Sequence, residues 1–552
     1  MNRPNPAIVS EAGARPMPRW ALLLVCAAYL LPGQFGRDAW RHADLAAFGF
    51  MSALAQGQAS WWQPLLGGMS TPDGALLPYW LGAASIRLLP FLEPALAARL
   101  PFIAVLAMVL ALVWYACFHL ARTEAAQPVS FAFGGEAQTR DYARALADGA
   151  ILALMASLGL LMLGHETTPE LLQLLGVSLW LYALASSPFR GLRAQLLAAV
   201  ALLVLGLSGA AQFALLMGAG GLLICQYSRL EGARQLRLGL LAGMAAVVLL
   251  ASLLGLWRWR LGSPEPTSLL RLLLWFTWPT AALAAWTLWR WRGFLIRRHV
   301  AVPLTLALAG LLACVAMGGS DRALLLALPA LAVLASFALP TLNRSLSAMV
   351  DWFSVFFFSA LTLFVWFYFL ALHTDWFPRA SSSASRALSG ESIGPLDPFA
   401  LSLGLAGTLS WLLLVRWRTS RQRRALWRSL VLPAGGTVVL WLLAMTLFLA
   451  PLDLARSNRA LLGQMRSLLP ENADCVLLPE RSLSLAATLQ TAGWRVRGDS
   501  LEGSDDCEWA LRTQPARTDV VIPAGWQLRA SLLRPTERGT RYELLRRLPA
   551  TP

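Results

Sequence analysis

The stretch GRDAWRHADLAAFG, residues 36 to 49, gathers Arg37, Asp38, Arg41, His42 and Asp44 directly after the first long apolar run. A carboxylate in such a cluster can act as a general base, and the arginines can hold a phosphate through charge-assisted hydrogen bonds. The plainer reading is a set of snorkelling arginines and loop aspartates that mark the end of a membrane span. The next residues, LAAFGFMSALAQG, argue for more, because they form an amphipathic segment instead of a solvated loop. A second cluster, HETTPE at 165 to 170, adds His165, Glu166 and Glu170. Part of it reads as a helix start, with Thr167 or Thr168 as N-cap, Pro169 at the first helical position and Glu170 in the first turn. That account leaves His165 and Glu166 unexplained.

The elements that must position these residues are membrane helices. The 552-residue chain is 57% hydrophobic and 14% charged, well below the roughly 25% charge of soluble domains. Apolar runs of roughly 17 to 24 residues, long enough as helices to cross about 30 Å of hydrocarbon, recur from residue 19 to 450. About thirteen spans are expected, near 19–35, 97–120, 147–164, 170–187, 193–208, 212–228, 236–257, 268–290, 300–318, 322–340, 350–373, 399–416 and 429–450. With the N-terminus in the cytoplasm, the basic loops SSPFRGLR, SRLEGARQLR, RWRGFLIRRH, TLNRSLS and RWRTSRQRRALWRS all fall on the cytoplasmic side, as the positive-inside rule requires. Residues 76–92 contain Arg87 and two prolines, and counting them as a span would invert every later basic loop. They are assigned to an interfacial or re-entrant helix in a first outer loop, 36–96. Residues 1–450 therefore form the membrane domain. Residues 451–552 alternate short apolar runs with a helical LSLAATLQTAG and read as a small α/β domain on the outer side.

The net charge of +16 comes from arginine alone, since the chain has no lysine. These arginines cluster at span ends, not on one continuous face, so they report topology and exclude a nucleic-acid partner. Four of the six cysteines lie in apolar runs, where they act as small hydrophobes. Cys475 and Cys507 sit in the polar tail and are candidates for a disulfide if that tail faces an oxidising compartment. The polar N-terminus and first run superficially resemble a signal peptide, but the run ends in LPGQFGRD without a small-x-small cleavage site and reads as a retained span. The dense aromatics, WRWR at 257–260 included, read mostly as interfacial belts and core packing. No metal-ligand spacing, phosphate-cradling glycine loop or Ser-His-Asp order stands out, and no cofactor is expected.

The order of one span, then GRDAWRHADLAAFG, then WWQPLLGGMSTPDGALLPYW, then EPALAARLPFIAVLAMVLALVWYACFHLAR resembles the membrane glycosyltransferases of family 39, specifically the aminoarabinose transferases that modify lipid A. HETTPELLQLLGVSLWLYAL and LLWFTWPTAALAAWTLWRWR extend the resemblance over nearly the whole chain. It implies an α-helical polytopic protein of the bacterial inner membrane with the C-type glycosyltransferase fold, about thirteen spans and a C-terminal periplasmic domain. It also implies an inverting transfer of a sugar, aminoarabinose-like or mannose-like, from a polyprenyl-phosphate donor to a lipid or glycan acceptor on the periplasmic face. On that reading Asp44, or as second choice Asp38, is the base, and Arg37 and Arg41 meet the donor phosphate. His42, Tyr79, His165, Glu166 and Glu170 are then expected near the substrate cavity. The family carries adjacent Asp-Glu three residues after the tryptophan of this loop, where this chain has Ala43 and Asp44. A family Lys-Pro-Pro stretch corresponds to Gly74, Ala75 and Leu76, and the Thr-Thr-Asp pattern appears as Thr167, Thr168, Pro169 and Glu170. The alternative is a paralogue without transfer activity, acting as a lipid-glycan binding or accessory membrane protein.

Overall fold

The computed structural model describes residues 6–40, 42–227, 233–374, 376–379, 381–382, 397–419, 425–470, 475–501, 507–534 and 537–548. Helix α1 (Arg19–Leu30) leads into an outer loop that holds α2 (Ala43–Ala55), a hairpin of β1 (Leu65–Leu66) and β2 (Met69–Ser70), and α3 (Leu77–Leu88). Twelve residues of α3 measure about 18 Å as a helix, too short to cross the hydrocarbon. Arg87, in the last turn of α3, donates to the carbonyls of Leu54 and Ala55 at 3.0 and 2.8 Å. A cation there also suits the negative end of the α2 dipole.

The bundle continues through α4 (Pro94–Ala121), α5 (Thr139–Ala156), α6 (Leu158–Leu163), α7 (Pro169–Ser186), α8 (Gly191–Leu207), α9 (Ala211–Tyr227) and α10 (Ala233–Leu253). Next come α11 (Pro266–Phe276), α12 (Thr280–Arg290), α13 (Arg298–Ala316), α14 (Asp321–Leu325), α15 (Leu328–Ala338), α16 (Arg344–His373), α17 (Pro398–Thr419) and α18 (Arg428–Leu447). Among the described residues seven helices are long and apolar enough to cross a membrane: α4, α7, the 235–253 part of α10, α13, α16, α17 and α18. The other expected spans are helical but short or broken. The 268–290 span bends by 90° between α11 and α12, where Pro279 cannot supply a backbone donor. The 147–164 span breaks at Ser157, whose extended backbone separates α5 from α6. Phe276 packs there so closely on Gly159 that a Cβ would clash with its ring.

Helix α7 is buried almost throughout, between α4, α8, α13 and α15, whereas α16 and α17 are largely exposed along apolar surfaces. A helix that is apolar on every side belongs in a bundle centre or against lipid. On one side of the bundle the N-terminal segment pairs with the 121–138 loop: Val129 donates to the Ala7 carbonyl at 2.9 Å and Glu11 to the Gly135 carbonyl at 3.0 Å. Leu426 donates to the Gly13 carbonyl at 3.0 Å on that same side.

The other side carries the first loop and the C-terminal domain. That domain follows α19 (Leu449–Arg456) and α20 (Arg459–Leu468) and comprises β3 (Cys475–Leu477), α21 (Leu483–Thr491), β4 (Arg495–Arg497), β5 (Trp509–Pro515), β6 (Trp526–Arg534) and β7 (Glu537–Arg547). Its sheet order is β4-β3-β5-β7-β6, with β3 parallel to β4 and β5 and the remaining pairs antiparallel. A disulfide joins Cys475 to Cys507. Helix α21 lies on α2, with Ala487 against Gly49, and Gly498 donates to the Gly67 carbonyl at 2.9 Å.

Candidate functional site

Asp44 is 1% exposed in the first turn of α2. Its Oδ1 accepts from the backbone N–H and the hydroxyl of Thr167, both at 2.7 Å, and its Oδ2 accepts from the Trp40 N–H at 3.1 Å. Arg37, equally buried, places Nη1 3.5 Å from Oδ2, donates from Nε to the Gly33 carbonyl at 2.5 Å, and donates from Nη2 to the His165 carbonyl at 2.7 Å. Burial alone raises a carboxyl pKa. The charges of Arg37 and Arg99 and the Thr167 donors outweigh it and hold Asp44 below the usual carboxylate range. These contacts tie the first loop to the start of α7.

Asp38 faces the C-terminal domain. Arg459 donates to its two oxygens at 2.7 and 2.9 Å, and the Asp38 N–H donates to Asp453 at 2.9 Å. Trp40 lies between Arg37 and Arg456, 4.4 and 4.9 Å from its ring centroid, and its indole donates to Asp453 at 3.1 Å. His42 is exposed and holds φ 68° as the residue before α2, and Arg41 lies outside the described residues. His165 is buried against Trp441 and Tyr29, and burial pushes its pKa down to about 4 in spite of the carbonyls of Tyr29 and Leu161 at its ring nitrogens. Both ring nitrogens face carbonyl oxygens, Nε2 at 2.8 Å from Tyr29 and Nδ1 at 3.1 Å from Leu161.

Glu166 and Glu170 converge on Arg322 of α14. Arg322 donates to Glu166 at 2.7 Å, to Glu170 at 3.2 Å and to the Thr168 hydroxyl at 3.2 Å. Burial pushes Glu166 up to about 7 against the pull of Arg322. Glu170 and Arg322 line a cavity of about 270 Å³ that also takes in Gln173, Gln212, Arg258 and Arg260, with an apolar wall that includes Phe213 and Leu312. Tyr79 lies behind this wall, and its hydroxyl donates to Asp73 at 3.4 Å. Burial and the neighbouring Glu170 push Asp73 up to about 6. The α8–α9 turn fits beside it only because Gly209 has φ 82°, and a Cβ there would lie 2.7 Å from the Asp73 carbonyl oxygen.

Among the described residues no group of three or more His, Cys, Asp or Glu side chains is placed to hold a metal. Sequence reasoning missed Asp73, Arg258, Arg260 and Arg322. The available signal was positional: WRWR and Arg322 put cations on the side that the charge rule assigns as outer, where it expects few. Such cations need a reason other than topology.

No family model matches this sequence, and no curated protein sequence matches it either. Solved structures share its architecture. The crystal structure of ArnT from Cupriavidus metallidurans bound to undecaprenyl phosphate aligns with a TM-score of 0.58 at 16% identity, over 95% of this chain and 97% of that one. The apo structure of the same protein gives 0.55 at 16% identity, over 90% and 91%. The chain thus has the C-type glycosyltransferase fold from end to end, and the sequence resemblance to the aminoarabinose transferases stands at the level of that fold.

Proposed function

We propose that the protein is a membrane glycosyltransferase that takes a sugar from a polyprenyl-phosphate donor and passes it to a lipid or glycan acceptor at the outer membrane surface. The observation that carries this reading is the cavity wall: three arginines and one carboxylate facing a common space, bounded by apolar side chains. Guanidinium groups match phosphate oxygens in geometry and charge. In the reaction an acceptor oxygen or nitrogen attacks the anomeric carbon with inversion, the bond from that carbon to the phosphate oxygen breaks, and polyprenyl phosphate leaves. Arg258, Arg260 and Arg322 offset the charge that grows on the leaving phosphate. Glu170, the carboxylate on the wall, receives the acceptor proton. Asp44 accepts from Thr167 and Trp40, and Arg37 donates from Nε and Nη2 to two carbonyls while its Nη1 makes only a 3.5 Å ion pair with Asp44; in this scheme the two frame the site instead of meeting the donor. An aminoarabinose-like or mannose-like donor sugar and an acceptor such as lipid A fit this scheme.

The second reading, a non-catalytic lipid-glycan binder, is favoured by one observation: the first of the two family acids is Ala43 here, and Asp44 is fully engaged. Purified protein given radiolabelled polyprenyl-phosphate sugar separates the two. Transfer that Glu170→Gln abolishes while donor binding persists, and donor binding that Arg260→Gln weakens, support the enzyme. Donor binding by the unmodified protein with no transfer to any lipid acceptor supports the binder.

A further inference from the structure

Trp259 is 72% exposed on the segment that joins α10 to α11, and it lines the cavity between Arg258 and Arg260. The backbone on either side is anchored. The Gln212 amide donates to the Arg258 carbonyl at 3.0 Å, and Gly262 donates to the Ala316 carbonyl at 3.0 Å. Two other exposed tryptophans lean on rings, Trp62 on Trp80 at 5.6 Å and Trp278 on Phe353 at 5.9 Å, whereas Trp376, 77% exposed, has no ring contact among the described residues. Among the described residues Trp259 makes no ring contact and no indole hydrogen bond to protein. Its backbone is fixed while a large apolar plane stays uncovered.

An indole plane at an interface has an ordinary use, anchoring in the headgroup layer. What sets Trp259 apart is its company. Gln173, Gln212 and Glu170 line the same cavity. Each glutamine uses one Nε2 hydrogen on a carbonyl, that of Ser208 or Arg258, which orients the amide and leaves Oε1 as an acceptor beside the second N–H. A pyranose or furanose ring presents C–H bonds on its faces and hydroxyls at its edge. It needs a flat apolar surface beside hydrogen-bond acceptors, and this wall offers both next to cations suited to a phosphate.

We infer that Trp259 is the stacking platform for the sugar ring of the donor, with Gln173 and Gln212 receiving its hydroxyls. This rests on the reading of the cavity as a donor site. It makes Trp259 a specificity residue that acts on the sugar and not on the lipid phosphate. Two probes separate these effects: a polyprenyl phosphate bearing a sugar, and the same polyprenyl phosphate without one, each titrated calorimetrically against purified full-length protein. Trp259→Ala should weaken binding of the sugar-bearing lipid about tenfold, the size of a lost aromatic contact, and leave the bare lipid unchanged. Trp259→Phe should keep most of the affinity. Equal loss for both lipids identifies an interfacial anchor and overturns the inference, as does no loss for either. If the unmodified protein binds the bare lipid no better than a neutral polyprenol, the donor-site reading fails instead, which is a separate result.

Discussion

Replacing Asp44 by asparagine tests whether this residue is a strut or a base. The substitution keeps an oxygen that can accept from Thr167, but it turns Oδ2 into an amide NH₂ facing two donors, the Trp40 N–H and Arg37 Nη1. Arg37 is 4% exposed, and apart from Asp44 its partners are the carbonyls of Gly33 and His165. Removing one partner of a buried ion pair costs about 3–5 kcal/mol because the other charge stays desolvated. Set against a total stability of about 5–15 kcal/mol, that is a large fraction. Asp44→Asn should therefore lower the unfolding midpoint in detergent sharply and weaken donor binding, because Thr167 leads directly into Glu170. A double variant, Asp44→Leu with Arg37→Met, removes both charges and should recover most of the lost stability. An Asp44→Asn protein that melts with the parent and binds donor normally, yet loses transfer by a thousandfold or more, would refute this reasoning and return the base role to Asp44.

Two further outcomes follow from the same structure. Asp73 has a folded pKa of about 6 against 3.8 for an unperturbed aspartate, so its contribution to stability is fully present below about pH 4 and is lost as pH rises through 6. Asp73→Asn, which keeps an oxygen for the Ala75 N–H and the Tyr79 hydroxyl, should melt higher than the parent at pH 8, by the equivalent of about 3 kcal/mol. The gap should close near pH 4, and an equal gap at both pH values would show that Asp73 is not the titrating group. A periplasmic reporter fused at residue 460, just after the last membrane helix, should be active in whole cells, and an inactive one would reverse the orientation inferred from the arginines.

Several elements were legible from the residues alone. The short amphipathic α3 followed from Arg87 and the two flanking prolines, and the helix start at Pro169 followed from the Thr-Thr-Pro-Glu order. The breaks at Ser157 and at Thr277 to Pro279 were not legible as breaks, because hydropathy averages over a window and registers apolarity regardless of direction. Arg37, Asp44 and His165 do come together. Even so, Asp44 and Thr167 are 123 residues apart in sequence, and nothing in either segment announces that the hydroxyl will consume the carboxylate.

Hydropathy and charge bias are local properties, since each apolar run is transferred into lipid on its own account and each arginine-rich loop resists crossing. For that reason the sequence by itself determined that this is a multi-helix membrane protein with one large loop after the first apolar run and a small α/β unit following the last. Whether a carboxylate is free or spent depends instead on what other segments bring to it, and only the packed chain decides that. Packing set Asp44 against Thr167 and Arg37, placed Glu170 on a cavity wall, and gathered Arg258, Arg260 and Arg322 from segments far apart in sequence around one space.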